Sequence, residues 1–392
     1  LKYLIIDNMV YGGAERQATY LINNGIFDKV ILLEDEVKYK LNNKTPCETM
    51  NSKIIKLYLR PYKDNKSINQ LITKFSNKDI VVSFLERSNI INIRVAQKTN
   101  HKVIISVRNY LSERYAHFKY VYRMHLIKKY YPKADKIIVN SNESKEDLIR
   151  NFNIEAEKIK VIYNIIDLEN VDKLKTEKIN PAHAQIFKNP VIINVGSLIP
   201  QKAQIQLIEA FSEIKKEYPD YKMVIIGSGG LEKKIKKTIF KLNLENEVFL
   251  LGNIENPFKY IYKSNMFILN SEFEGFPNVL LESIALGIPI ISKNCLSGPK
   301  ELMDVPDYDN SNIELTKYGF IFPKKSSYKN SYEKELFFLI RSMCSLIDMY
   351  HNDKNSLHEM KKKCKEKAEQ FSKKIILEQW KNELSSKNKL VN

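Results

Sequence analysis

Cysteine is scarce in this sequence and unpaired by spacing. Cys47, Cys295, Cys344 and Cys364 lie far apart, with no Cys-x-x-Cys among them. That excludes a zinc ribbon and a disulfide framework, and it suits reduced thiols in a cytoplasmic enzyme. Long hydrophobic runs are also missing. The opening run Leu4 to Ile6 is stopped by Asp7, far short of the length that crosses a bilayer, so no signal peptide or membrane span is expected and any membrane contact must be peripheral. Cys/His finger spacing, an RNP-like aromatic strand and a KH-type clamp in a fitting context are absent, which argues against a nucleic-acid partner. No internal repeat stands out, no metal site is assigned, and no cofactor is required by any motif.

What is present is a chain of 392 residues, 43% of them apolar, enough for one large core or two ordinary ones, with the length favouring two domains. Aromatic and β-branched residues run along nearly all of it, which argues against disorder. The formal charge of +17 fits nucleic acid, an anionic membrane surface or a phosphorylated small molecule, and charge alone does not choose among them.

Short Ile/Val-rich runs alternate with longer helical patterns. The expected strands are Tyr3–Asp7, Lys29–Leu33, Ile54–Tyr58, Ile80–Phe84, Val103–Val107 and Ile137–Asn140, then Val191–Val195, Met223–Ile226, Val248–Leu250, Met266–Leu269 and Ile288–Ile291. Continuous apolar strands separated by helices predict doubly wound α/β domains with parallel sheets. The polar stretch Asp167 to Asn189, with Pro181 and then Pro190, marks the seam. Two such units would face each other across a cleft, with ligands beyond the carboxyl ends of the strands. The domains are therefore drawn as 1–166, 167–370, and a terminal segment 371–392 whose helix, with the single Trp380, docks rather than trails. The Lys/Glu-rich run Lys361–Glu369 reads as a solvated helix face.

Four segments at strand ends carry chemistry. Gly12-Gly13-Ala14-Glu15-Arg16 follows the first strand and opens a helix, where unpaired amides can meet an anion. It has neither the full dinucleotide fingerprint nor the Lys-Ser/Thr pair of a P-loop, and a plain structural turn is the competing reading. Gly196-Ser197-Leu198-Ile199-Pro200-Gln201-Lys202 follows the strand Val191–Val195. A lysine there can neutralise a diphosphate, against the ordinary case of a surface lysine beside a turn. Gly227-Ser228-Gly229-Gly230 follows the next strand and suits either close approach of a nucleotide or a βα turn. The strongest segment runs Glu272-Phe273-Glu274-Gly275-Phe276-Pro277-Asn278-Val279-Leu280-Leu281-Glu282. Pro277 suits a first helical turn, so Glu274 lies in the loop before the helix and Glu282 just over one turn inside it. Carboxylates so placed can accept hydrogen bonds from the vicinal hydroxyls of a ribose or hexose, while the helix-start amides face a diphosphate. An acidic surface helix is the bland alternative.

In the order and spacing of these motifs the chain resembles the retaining, GT-B-fold glycosyltransferases of family GT4, whose Glu-x7-Glu signature matches Glu274 and Glu282. The likeness covers nearly the whole chain and implies two Rossmann-like domains with a C-terminal crossover helix that packs on the first domain. It implies that Glu282 holds the donor ribose, Lys202 contacts the donor phosphates, Glu274 contacts the transferred sugar, and Gly12 and Gly13 line the cleft. With them, Gly196, Ser197, Gly227, Gly229, Gly275, Phe276, Pro277 and Asn278 make the donor-binding set. The chain departs from the family in two places: Ser197 stands where many relatives carry arginine, and Arg108-Asn109 stands where many carry a histidine. Arg108 and Asn109 are therefore assigned to the acceptor side of the cleft, while His117 and His125 are read as surface or packing residues. Ser297-Gly298-Pro299-Lys300-Glu301 resembles a stretch found in relatives that build bacterial surface glycans and lipid-linked oligosaccharides, many of which use UDP-hexoses or UDP-N-acetylhexosamines.

The expected reaction is transfer of a sugar from a nucleotide diphosphate, UDP by analogy, to a glycan acceptor, with retention and without a separate protein base. A UDP-sugar epimerase of similar build and a catalytically inactive nucleotide-sugar binding protein are the alternatives. One further segment bears on location. Arg114–Lys133 contains no Asp or Glu, and Tyr115, Phe118, Tyr122 and Leu126 recur at helical spacing beside Arg123, Lys128, Lys129 and Lys133. A basic aromatic helix of this kind docks on an anionic membrane or packs on its own domain. The expectation is peripheral attachment at the inner face of the cytoplasmic membrane, near a lipid-linked acceptor.

Overall fold

The computed structural model describes residues 1–385 except 11, 43, 51–59, 117–119, 306, 309 and 325–330, with only the backbone of 60–63. The chain divides into two compact units, Leu1–Ile165 with Lys373–Asn392, and Ile166–Ser372.

The first unit is built on a seven-stranded sheet, β1 (Lys2–Ile6), β2 (Lys29–Leu32), β3 (Cys47–Thr49), β4 (Ile80–Phe84), β5 (Lys102–Val107), β6 (Lys136–Val139) and β7 (Ile159–Val161). The order is β3-β2-β1-β4-β5-β6-β7 and every pair is parallel. Both faces are covered, which is why the strands read as unbroken apolar runs: Leu4 and Ile6 of β1 enter one core cluster, Tyr3 and Ile5 another. The terminal helix Lys373–Ser385 buries Ile376, Leu377, Trp380 and Leu384 in the first of these clusters. Trp380 stacks on Phe84 of β4 with ring centroids 5.9 Å apart. At the edge of the second unit, Ile166 N–H donates to the Phe371 carbonyl at 2.9 Å.

The second unit repeats the plan with β8 (Val191–Val195), β9 (Lys222–Ile226), β10 (Val248–Leu250), β11 (Met266–Leu269), β12 (Ile290–Lys293), β13 (Glu314–Thr316) and β14 (Gly319–Phe322). Its order is β10-β9-β8-β11-β12-β14-β13, parallel throughout except for the antiparallel edge pair β13–β14. Each sheet is doubly wound, with its order reversing between β1 and β4 or between β8 and β11, the places where such sheets open a ligand crevice.

Two expectations shift, and the strand expected at Ile54–Tyr58 lies outside the described residues. β12 starts two residues later than expected because Pro289 has no N–H for the ladder and only its carbonyl is used, accepting from Phe267 N–H at 3.0 Å. The start of pairing at Ile290 carries the strand on to Lys293. The Lys/Glu-rich run is also not simply solvated: its helix Lys354–Glu369 buries Leu357, Met360, Cys364, Lys367 and Ala368, and the Lys367 ammonium pairs with Asp304.

Candidate functional site

In the second unit, the loops that follow β8 and β11 leave the sheet on either side of its reversal point. The first carries Gly196, Ser197 and Lys202, the second Asn270 to Pro277. They are tied to each other by backbone and side chain: Glu272 N–H donates to the Gln201 carbonyl at 2.7 Å, and the Gln201 amide donates to the Phe273 carbonyl at 2.7 Å. The result is a direct ion pair between Lys202 Nζ and Glu274 Oε1 at 2.5 Å, with side chains 20% and 10% exposed. Lys202 and Glu274, chosen from sequence for different parts of a donor, are thus brought together.

The helix Asn278–Ala285 begins directly after Pro277, whose extended backbone caps it. Leu280, Leu281 and Ile284 anchor it in the core, and Glu282 is drawn in with them, 4% exposed. Its N-terminal amides are therefore presented just after the Glu274-Gly275-Phe276 turn, a ready site for an anion. The turn is braced from behind. Ser297 Oγ donates to the Gly275 carbonyl, Glu274 N–H donates to the Leu296 carbonyl at 3.3 Å, and Phe276 rests on Phe371. Gly298 has to be glycine: its φ is +79°, and a Cβ there would come within 2.7 Å of Pro277 Cδ and 2.9 Å of the Gly275 carbonyl oxygen. Burial pushes the Cys295 thiol well up, and the Glu274 carboxylate adds to the shift. A thiol so placed is inert.

The glycines after β9 serve the neighbouring loop. A Cβ on Gly227 would strike the Gly196 carbonyl oxygen at 2.0 Å, and one on Gly229 the Leu198 carbonyl oxygen at 2.4 Å. Gly196 N–H donates to the Ile226 carbonyl and Leu198 N–H to the Ser228 carbonyl, both at 2.9 Å, so the β8 and β9 loops are zipped along their backbones. The exposed Ser197 sits in this zip, where its carbonyl accepts from the Gln204 amide at 3.0 Å.

Sequence reasoning missed a buried group below the pair. Lys293, at the end of β12, is fully buried, and its ammonium contacts Glu272 Oε1 at 2.8 Å and Glu335 Oε2 at 3.0 Å, with Gln206 Oε1 at 3.3 Å. The only available signal was a lysine closing an apolar run, and the misplaced strand start hid it.

In the first unit, Gly12 and Gly13 stand after β1, with Gly12 as the N-cap of the helix Gly13–Asn23. A Cβ on Gly12 would come within 2.2 Å of Glu15 Oε2, so the Glu15 carboxylate folds over the loop, and burial raises its pKa. Asp7, at the end of β1, is likewise pushed up by burial while accepting from Ser88 Oγ at 2.6 Å. After β5, Arg108 is buried over the Phe84 ring at 5.5 Å and donates to Asn164 Oδ1. Desolvation brings its guanidinium down to about 9. The Asn109 amide donates to Glu86 Oε1 at 3.2 Å. His125 is exposed and His117 lies outside the described residues. An Asp-x-Asp triplet does occur at Asp307-Tyr308-Asp309, with Asp309 outside the described residues. Among the described residues no three His, Cys, Asp or Glu side chains are grouped to hold a metal.

Comparison with known proteins gives a consistent result. The Glycosyltransferase Family 4 profile matches residues 11–170, and the Glycosyl transferases group 1 profile matches residues 175–309. An uncharacterized glycosyltransferase of Methanocaldococcus jannaschii is 32% identical over 83% of this chain and 82% of its own. The N-acetylgalactosamine-N,N'-diacetylbacillosaminyl-diphospho-undecaprenol 4-alpha-N-acetylgalactosaminyltransferase of Campylobacter jejuni is 34% identical over 76% of this chain and 82% of its own. Among solved structures, Anabaena HepE in complex with UDP and glucose superposes with a TM-score of 0.74 at 19% identity, covering 98% of this chain and 99% of that one, a likeness of fold.

Proposed function

The chain belongs to the family 4 glycosyltransferases of the GT-B fold, and from that premise we propose that it transfers a hexose or N-acetylhexosamine from a UDP-sugar, with retention of configuration, to a glycan acceptor in surface-polysaccharide, lipopolysaccharide or lipid-linked-oligosaccharide synthesis. The observation that carries the reading is the Lys202–Glu274 pair at the reversal point of the second sheet, directly before the helix that carries Glu282. Lys202 and the helix-start amides stabilise the diphosphate as it leaves, where charge develops. Glu274 accepts hydrogen bonds from the transferred sugar and Glu282 from the ribose. The departing phosphate oxygen takes the acceptor proton, so no protein base is needed. The undecaprenyl-linked acceptor named for the Campylobacter jejuni relative supports a lipid-linked glycan here.

The test is a donor screen with linkage analysis of the product. Transfer from a UDP-sugar with an α-configured product from an α-configured donor is expected. Conversion of a UDP-sugar without acceptor would assign an epimerase, and binding without turnover across a broad acceptor panel an inactive nucleotide-sugar binder.

We also propose peripheral docking of the first unit on an anionic membrane. Among the described residues, no helix is long and apolar enough to cross one. The helix Val121–Tyr130 is held to the core by Ile127, with Tyr115 and Leu126 partly buried beside it. The expected four-residue aromatic face is thus divided, and Phe118 lies outside the described residues. What faces solvent is Val121 and Tyr122, 56% and 72% exposed, with Lys128 and Lys129 exposed one to two turns on. An apolar tip flanked by lysines suits the headgroup layer, at roughly 1 kcal/mol of attraction per well-placed basic residue. Liposome flotation at two salt concentrations tests it. Binding that needs anionic lipid, falls with salt and weakens in Lys128→Glu/Lys129→Glu is expected; no binding, with efficient transfer to a lipid-free acceptor, would refute it.

A further inference from the structure

Lys293 is a cation without solvent. It is fully buried, and a buried charge persists only when paired and hydrogen-bonded. Its partners come from two directions: Glu335 from the helix Ser331–Asn352, at 3.0 Å, and Glu272 from the loop after β11, at 2.8 Å. The third contact, Gln206 Oε1 at 3.3 Å, extends the network, because Gln206 also accepts from the Asn270 amide at 3.0 Å. Asn270 in turn donates to the Ala203 carbonyl at 3.2 Å, and Ala203 holds the left-handed conformation, φ +48°, that ends the Pro200–Lys202 turn. Apart from the Glu335 pair, which anchors the ammonium to the helix Ser331–Asn352, these links converge on the two loops that meet in the Lys202–Glu274 pair. Glu272 joins both halves: its side chain is fixed by Lys293 while its N–H is fixed to the Gln201 carbonyl, one residue before Lys202.

We propose that Lys293 is a positioning residue of the donor site: it holds the β8 and β11 loops in register so that the Lys202 ammonium is fixed where the donor diphosphate binds. The inference rests on the donor reading of Lys202 given above. It touches neither nucleotide nor sugar itself. Buried ion pairs contribute little net stability compared with apolar packing, and their better-attested use is to select one arrangement. Here the arrangement selected is that of the loop pair.

The ratio of UDP to uridine affinity reads the diphosphate contact alone, so it is the measurement of choice, by calorimetry, beside thermal denaturation. Lys293→Met strands two carboxylates and is expected to lose stability. Lys293→Met/Glu335→Leu removes the buried partner as well and is expected to recover the wild-type melting temperature. In this folded double variant the ratio should still fall by about tenfold, while uridine affinity stays as in the wild type. Lys293→Arg, which keeps the charge, should recover part of the ratio. If the double variant melts as the wild type and binds UDP over uridine with the wild-type ratio, Lys293 serves stability alone and the proposal fails. Should neither Met variant fold, Glu272→Ala carries the test, since Glu272 is 38% exposed and its removal cuts the same link; an unchanged ratio there also refutes the proposal. Failure of the donor reading is distinct, because the wild-type protein would then bind UDP no better than uridine.

Discussion

Glu274→Gln is expected to separate binding from turnover. Glu274 is paired with Lys202 at 2.5 Å, both side chains four-fifths or more buried. At an effective dielectric of about 20, unit charges about 4 Å apart attract by ~4 kcal/mol. Desolvation and the solvent contact left to Lys202 reduce the net value to roughly 1–3 kcal/mol. A donor diphosphate must compete with that attraction for Lys202, and it also feels repulsion from the carboxylate. Glutamine keeps the volume and an acceptor oxygen but removes the charge. The variant is therefore expected to bind UDP as tightly as the wild type or a few-fold more tightly, with a melting temperature within a few degrees. Turnover should behave in the opposite way. If Glu274 holds the transferred sugar through charge-assisted hydrogen bonds that strengthen as positive charge grows at the anomeric carbon, kcat should drop by about 10²-fold. Calorimetry with UDP and steady-state kinetics with the donor found by screening provide the two readings. A folded variant that loses UDP affinity about tenfold would show that the carboxylate organises the phosphate site instead of opposing the phosphate, and normal kcat would remove Glu274 from the chemistry.

Three further outcomes are expected. Glu282→Ala should weaken UDP binding by roughly 1.5–3 kcal/mol through loss of charged hydrogen bonds to the ribose; unchanged UDP affinity by calorimetry in a folded variant refutes the assignment. Lys202→Ala should weaken UDP more than uridine, and equal losses for the two ligands would argue against a phosphate contact. Burial holds His101 down to about 4, where its Nε2–H donates to Asn92 Oδ1 at 2.8 Å. The neutral form is thus favoured on folding: the stabilisation is present in full above the unfolded value near 6.5 and is lost as pH falls from there toward 4, on the order of 3 kcal/mol in all. Urea midpoints between pH 7 and pH 4.5 should fall in the wild type and fall less in His101→Gln; equal slopes would show that other groups set the acid limit.

Much of this fold is legible in the chain because both sheets are buried on both faces. Strands such as Tyr3–Ile6 and Met266–Leu269 are then unbroken apolar runs, visible without knowledge of their neighbours. What escaped is short or depends on pairing. β3 is three exposed residues, and β13 and β14 form a small edge hairpin whose polar outer strand has no periodicity to read. Pro289 shows the same limit within a correctly recognised strand. The apolar run includes Ile288, but the hydrogen-bond ladder decides where the strand starts, and that decision moved Lys293 to its end. The glycines were also legible as necessary without being legible in purpose. Gly227 and Gly229 clear backbone of the adjoining loop, a contact between segments about thirty residues apart.

The lysines make the general case. Lys202 and Lys293 look alike in sequence: each closes a segment at the carboxyl end of a strand of one sheet, in a chain whose charge of +17 supplies lysines everywhere. Their surroundings separate them. Lys202 keeps 20% of its side chain exposed and has one carboxylate beside it, so an incoming anion can reach it and bid for it. Lys293 has no exposure and two carboxylates, so nothing from solvent can reach it and its charge is committed to holding the fold. A net charge counts both equally, and a motif search finds only the first. The distinction lies in how many acceptors the tertiary structure brings to each ammonium, and in this unit Glu272 decides it: by giving its side chain to Lys293 and its N–H to the Gln201 carbonyl, it leaves Glu274 as the only carboxylate facing Lys202 among the described residues.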